Sequence, residues 1–320
     1  MDDETDVFSE LYDSELDNEA RRRKRRQPGN LSELVEASDT PLEFETTYKP
    51  SRFEATWLGQ SLAPFYQQNL ITDVLYHVKG GKEASVYCCV AHPSTGMSLA
   101  AAKVYRPRRF RNLRNDKMYR EGRPLLTADG NVAKRTDHRL MRAIGKKTEF
   151  GVQAQHTSWL MYEYTTLQHL HAQGAAVPTP IGAAENSILM GFQGDTLGAA
   201  SALSDVALPL DEAQTLFVES MRNIELMLSF DIIHGDLSAY NILYWEGKIT
   251  LIDFPQVCSV ETNEHAAFIL QRDITRTCEY FQKQGVECDP ERIFEDLWKR
   301  YAESRVKPFD LPAELPMSDQ

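Results

Sequence analysis

Apolar residues first recur at helical spacing between residues 57 and 70, where Trp57, Leu58, Leu62, Phe65, Tyr66 and Leu70 share one face. The period then shortens. Residues 74–78, 84–90 and 99–105 are apolar, β-branched or aromatic runs punctuated by Gly80-Gly81 and by Pro93-Ser-Thr-Gly96. They predict three antiparallel strands of a small sheet. Residues 187–190 predict one further short buried strand. Helical periodicity returns at 156–173, stopped by Gly174 with Pro178 and Pro180 beyond it. It continues at 211–230, 263–284 and 290–304, with Asp211 and Asp289 as expected N-caps. Two short strands, 242–245 and 248–252, turn on Glu246-Gly247 between these helices. Early strands followed by late helices make an α+β chain, without internal repeats.

Charge changes the picture at two places. Residues 1–45 alternate charge blocks without a core, acidic up to Glu19 and then RRRKRR at 21–26. Such a stretch buries too little apolar surface to offset ordering, so a disordered charged tail is expected. The basic run suits a solvated tail, a nuclear address, or an RNA or partner contact. Between residues 106 and 147 lie 14 Arg and Lys residues. The whole chain carries a formal charge of −12, which argues against nucleic-acid binding by its general surface but leaves a local patch free to act. The basic segment is therefore either a grip for RNA phosphates or a solvated face and loop.

The composition, 42% hydrophobic and 26% charged, is that of a globular protein. The five cysteines form no C-x-x-C pair and no histidine cluster has zinc spacing, so neither structural zinc nor a disulfide framework is expected. The acidic first residues are no signal peptide, and no apolar stretch approaches the roughly 20 residues that span a bilayer. A soluble protein of a reducing, cytoplasmic compartment without a membrane partner is the expectation.

Candidate chemistry concentrates in HGDLSAYNILY at 234–244 and in Asp253. Asp236 precedes Asn241 by five positions, the spacing that places a base and an amide metal ligand on one kinase loop. Asp253 follows an apolar strand that would deliver its carboxylate to Mg²⁺. The alternative is a buried Asp-Asn turn followed by an unrelated aspartate. Lys103 sits on the third expected strand within AAKV, and Glu163 can pair with it to hold it on the α- and β-phosphates of ATP. Backbone N–H groups near Gly81 and Lys82 can cap phosphates, although the GGKEASVY turn at 80–87 serves equally as a plain hairpin. Phosphoryl transfer asks for positioning and charge compensation more than covalent help, and these residues supply the parts in kinase order.

At GKEASVY (81–87), AKV (102–104), HGDLSAYNILY (234–244) and IDFPQ (252–256) the sequence resembles the RIO family of atypical protein kinases. Weaker likenesses are residues 163–180 and AFILQRD at 267–273. The resemblance covers about residues 70–305. It implies a bilobed protein-kinase-like fold, with a small antiparallel-sheet N-lobe, a mainly helical C-lobe and no long activation segment. It implies the boundaries 1–45 for a tail, 46–190 for the N-lobe with a helical lead-in and basic loop, 191–305 for the C-lobe, and 306–320 for a second tail. It makes Asp236 the catalytic aspartate, Asn241 and Asp253 the metal ligands, and Asp253 a candidate phosphoryl acceptor as well. Gly81, Lys82, Val86, Lys103 and Glu163 fall on the ATP site, and Met190 to Phe192 on its adenine hinge. ATP and Mg²⁺ are the implied cofactors, and a serine-containing protein or a maturing small ribosomal particle the implied partner. Gly191 departs from the acidic residue common at the hinge, and residues 46–72 are too few for a winged helix. Two other functions fit parts of the same motifs: a small-molecule kinase of the aminoglycoside or choline type, and a nucleotide-gated RNA or ribosome assembly factor. Ser238 and Tyr240 favour the RIO reading over the first of these.

Overall fold

The computed structural model describes residues 46–81, 84–105, 119, 123–134, 137–146 and 148–306. The expected tail 1–45, Lys82 and most of the expected basic loop between 106 and 122 lie outside the described residues.

The first helix, α1 (Arg52–Gln67), starts at a capping box: Ser51 accepts the Glu54 N–H and the Glu54 carboxylate accepts the Ser51 N–H. Glu54 also accepts the hydroxyls of Tyr48 at 3.1 Å and Tyr87 at 2.5 Å. The same carboxylate thus caps the helix and ties it to the sheet.

That sheet has five strands: β1 (Ile71–Gly80), β2 (Ala84–Ala91), β3 (Leu99–Tyr105), β4 (Pro180–Ala184) and β5 (Ser187–Gly191). Their order is β1-β2-β3-β5-β4, antiparallel throughout. Register fixes two faces, because strand side chains alternate. Tyr87, Ala102 and Leu189 lie side by side and pack with Leu58, Leu62 and Phe65 of α1 in one core. Val86, Lys103 and Ile188 lie side by side on the other face, with Ile188 in a second core containing Trp159 and Leu160. That second face looks into the cleft.

Two helices follow from the expected basic loop, α2 (His138–Gly145) and α3 (Glu149–Ala172). The expected helix at 156–173 begins two turns earlier, because Thr148 caps it by accepting the Gly151 N–H at 3.2 Å. Gly151 is there for contact: a Cβ on it would meet the Ala143 carbonyl oxygen at 2.2 Å. A dense Arg/Lys composition hid both the cap and this close approach.

The second half is built on α4 (Leu210–Ser229), α5 (Ala266–Lys283) and α6 (Pro290–Val306). Their apolar faces share a core with Leu237, Ile242, Leu251 and Phe254. Short strands decorate it: β6 (Ser201–Ala202), β8 (Ile242–Trp245) and β9 (Lys248–Leu251) in one sheet, β7 (Ile232–Ile233) and β10 (Cys258–Ser259) in another. Asp289 caps α6 as expected, accepting the Glu291 and Arg292 N–H groups. Asp211 does not cap α4. The helix starts at Leu210 behind Pro209, which places Asp211 in the first turn, where its charge still suits the positive end of the helix. Among the described residues no helix is long and apolar enough to cross a membrane.

Candidate active site

The cleft between the five-stranded sheet and the helical half gathers most of the residues singled out by motif. Lys103 Nζ lies 2.5 Å from Glu163 Oε1 on α3 and 2.5 Å from Asp253 Oδ1 beyond β9. Tyr105, two positions along β3 and so on the same face, donates its hydroxyl to the other Glu163 oxygen. The motif reading missed Tyr105, although strand alternation alone would have placed it beside Lys103.

Burial works against charge at each of these groups, and the balance differs between them. At Lys103 the two carboxylates outweigh burial and hold the ammonium well above the ordinary lysine range. At Glu163 burial prevails over the Lys103 charge and pushes the carboxyl up. At Asp253 burial is outweighed by Lys103, which holds the carboxyl down. The two carboxylates also differ in access: the Glu163 side chain is 3% exposed and that of Asp253 43%. Glu163 is a closed brace, whereas Asp253 faces the cleft and can exchange Lys103 for another cation.

Asp253 has φ +73°, in the left-handed region that a residue with a side chain enters only at a cost of roughly 1–2 kcal/mol. Its neighbours hold it there. Ile252 donates its N–H to the Asn241 carbonyl at 3.0 Å, and its own carbonyl accepts from His234 Nε2 at 3.1 Å. The loop carrying Asp236 and the loop carrying Asp253 are therefore one hydrogen-bonded unit.

His234 is buried, and its two ring nitrogens have opposite duties. Nε2 donates to Ile252, while Nδ1 accepts the Asp236 N–H at 3.3 Å. Only a neutral ring does both, and burial lowers its pKa below the ordinary 6.5. The unfolded chain takes up that proton more readily, so this contribution to stability is complete above 6.5 and is lost as pH falls through the lowered value. Urea midpoints at about pH 5 and pH 7.5 should show this loss, and His234→Gln should flatten the slope. Equal slopes in both proteins would assign the pH dependence to other groups.

Gly235 lets the loops meet. Its φ is +83°, and a Cβ there would lie 2.2 Å from the Gln256 carbonyl oxygen. Its N–H donates to the buried Asp273 carboxylate at 2.8 Å, and its carbonyl accepts from Arg272. Gly235→Ala is expected to cost about 2 kcal/mol or more and to lower turnover at least tenfold. Gly247→Ala is the control, since Gly247 has a similar φ of +76° but nothing nearer than 3.9 Å. It should cost only about 1 kcal/mol. Equal losses in the two variants would mean that the contact with Gln256 is unimportant.

Asn241 Nδ2 donates to the Asp236 carbonyl at 2.8 Å and approaches its Oδ2 at 3.4 Å. This leaves Asn241 Oδ1, a hard oxygen donor, free of the Asp236 contact. Among the described residues no cluster of three His, Cys, Asp or Glu side chains can hold a metal. Two oxygen-bearing side chains without such a cage suit Mg²⁺, which retains water and takes phosphate oxygens. Gly81 closes the β1–β2 turn, its N–H donating to the Ala84 carbonyl at 2.8 Å. Val86 pairs in register with Lys103, and Met190 with Ala101. Phe192, just past β5, packs edge-on against Tyr76 with ring centroids 6.4 Å apart.

The end of the expected basic loop is tied into the same place. Tyr119 accepts from Arg272 at 2.7 Å, and its ring lies 5.6 Å from that guanidinium. Arg123 donates to the carbonyls of Pro255 and Val257, the stretch that follows Asp253. These two residues, four apart, clamp both loops.

The RIO domain profile matches residues 86–293. The chain belongs to the RIO domain family. Its relatives include the RIO-type serine/threonine-protein kinase Rio1 of Thermoplasma acidophilum, 34% identical over 142 residues, which are 44% of this chain and 73% of the relative. Rio1 of Haloferax volcanii is 25% identical over 288 residues, 89% of this chain and 87% of that protein. Among solved structures, the Rio2 kinase of Chaetomium thermophilum, crystallised as an ADP/Mg²⁺-phosphoaspartate complex, aligns with a TM-score of 0.51 at 18% identity. The alignment covers 77% of this chain and 66% of that one, and bears on the fold alone. In this RIO domain the bilobed, kinase-like α+β arrangement is thus common to chains that share little sequence. Its Arg272-Asp273 pair lies within the AFILQRD stretch, whereas Tyr119, Arg123 and Arg276 belong to none of the motifs and emerge only from contacts.

Proposed function

We propose that this chain is an ATP- and Mg²⁺-dependent serine/threonine phosphotransferase. The observation that supports it most is the joining of a pair and a triad of polar side chains through two hydrogen-bonded loops. Asp236 and Asn241 lie on one side, and Lys103, Glu163 and Asp253 on the other. In this reading Glu163 and Tyr105 fix Lys103, which leaves its salt bridge with Asp253 for the α- and β-phosphates of ATP. Asp236 accepts the proton of the acceptor hydroxyl as its oxygen bonds to the γ-phosphorus, and the β–γ bridging oxygen leaves with ADP. Asn241 and Asp253 would hold Mg²⁺, which when bound would supply charge neutralisation to the phosphates. Val86 and Met190 offer apolar contact to the base, with Gly81 beside the phosphates and Phe192 beside the hinge.

Asp253 is strained, open to the cleft and held ionised, which suits a nucleophile as well as a ligand. A second reading therefore has Asp253 itself receive the γ-phosphoryl group, as an acyl phosphate that water later hydrolyses. Incubation with γ-labelled ATP and Mg²⁺ should then leave a hydroxylamine-labile label on the chain that disappears in Asp253→Asn. Label only on a serine-containing protein would leave Asp253 a ligand. Label on choline or an aminoglycoside, with none on protein, would overturn the protein-kinase reading.

The physiological target is proposed to be a ribonucleoprotein, supported by the Arg and Lys density of residues 106–147. Pull-down from lysate with and without ATP, scored for ribosomal particles, tests this. Recovery indifferent to ATP and to added salt would count against it.

A further inference from the structure

The contacts that build the site leave one feature of Asp236 unused. Its Oδ2 faces the Asn241 amide, but its Oδ1 takes Nη1 of Arg276 at 3.1 Å. Arg276 stands on α5, about one turn beyond the Arg272-Asp273 pair that holds Gly235. The side chains of Arg276 and Asp236 are 42% and 41% exposed, so this ion pair lies at the open side of the loop. An acceptor hydroxyl must arrive from there to reach the carboxylate.

A guanidinium has five N–H donors in a planar fork. Among the described residues this one donates to Asp236 from a single nitrogen. Asp273, three residues back on α5, is occupied by the Gly235 N–H and by Arg272. The Arg276 side chain is 42% exposed, so part of the fork is open beside the expected base. A hydroxyl arriving at Oδ1 competes with this cation and, if its surroundings are neutral, has nothing to give Arg276 in return. An acceptor bearing a carboxylate does. Without a cation between them, that carboxylate and Asp236 would repel each other in a chain whose net charge is already −12.

We propose that Arg276 selects acceptors with an acidic residue next to the phosphorylated hydroxyl. The substrate carboxylate takes over the guanidinium, and the exchange frees Asp236 Oδ1 for the hydroxyl proton. Arg276 is a specificity residue in this scheme, acting at the substrate and on the base through one charge. The scheme rests on Asp236 serving as the base of a phosphotransferase, and its test separates the two ideas.

The test uses the full chain with Mg²⁺ and ATP and two serine peptides that differ only in Glu or Lys beside the serine. The wild type should favour the Glu peptide in kcat/KM by about tenfold, the discrimination of one partly exposed charge-assisted hydrogen bond. Arg276→Lys should keep that ratio above one, Arg276→Gln should bring it close to one, and Arg276→Glu should reverse it. A ratio unchanged in Arg276→Gln overturns the proposal, whatever happens to the absolute rates. If neither peptide is labelled, anisotropy of the fluorescent Glu peptide with Mg²⁺ and a non-hydrolysable ATP analogue decides. Tighter binding to wild type than to Arg276→Gln supports the scheme, and equal binding sinks it. Failure of the phosphotransferase reading looks different: the wild type then turns over no ATP with or without peptide.

Discussion

Asp236→Asn is expected to lower phosphotransfer by about 10²–10⁴-fold, the usual contribution of a positioned general base, while Mg·ATP affinity changes little. Asparagine keeps the shape and the backbone contacts. The Asp236 N–H still reaches His234, and the Asp236 carbonyl still receives the Asn241 amide. Only proton acceptance is lost, together with the ion pair to Arg276. Asp253→Asn should differ in kind. It removes a negatively charged ligand from a position facing Lys103, so the Mg²⁺ needed for half-maximal rate should rise as the rate falls. A variant at position 236 that retains more than a tenth of wild-type rate would place the proton acceptor elsewhere.

Lys103→Met should have the second largest effect, on two separate readouts. Turnover should fall by about 10²–10³-fold, as when one preorganised donor to developing charge is removed. Stability should fall by about 3 kcal/mol, because the partner left behind is the buried Glu163. Burial already pushes the Glu163 carboxyl up, so in the variant it can take a proton and share it with Tyr105, which limits the loss. The double variant Lys103→Met, Glu163→Gln should therefore regain part of the stability and none of the activity. Recovery of turnover in the double variant would show that Lys103 serves only to neutralise Glu163. Urea denaturation and ATP hydrolysis measure the two sides.

Much of this arrangement was legible from the sequence, for identifiable reasons. Phosphoryl transfer constrains residue type and spacing over short stretches, so Asp236, Asn241 and Asp253 were readable within twenty residues. The sheet faces follow from alternation. What escaped depended on contacts distant in sequence. Arg123 and Tyr119 meet Pro255, Val257 and Arg272 across more than a hundred positions, and no local pattern encodes that. Helix α2 escaped because arginines and lysines stand among its few apolar positions and resemble loop composition. Strand β4 escaped because Pro178 and Pro180 read as the exit of a helix, although an edge strand tolerates a proline at its first residue. Asp211 was misplaced by two positions because Pro209, rather than an aspartate, is the N-cap of α4.

The clamp formed by Tyr119 and Arg123 also bears on the order in which the molecule assembles. Lys103 and Asp253 are 150 positions apart, Arg123 and Pro255 132, and Arg272 and Tyr119 153. Bringing such distant segments together costs loop-closure entropy before any contact repays it, whereas α4, α5 and their short strands close over far shorter spans. A refolding chain accordingly closes its helical half, with Trp245 and Trp298, first and joins Lys103, Tyr119 and Arg123 to it last. Recovery of ATP turnover should lag behind recovery of fluorescence, and the length of that lag is set by residues that never touch a nucleotide.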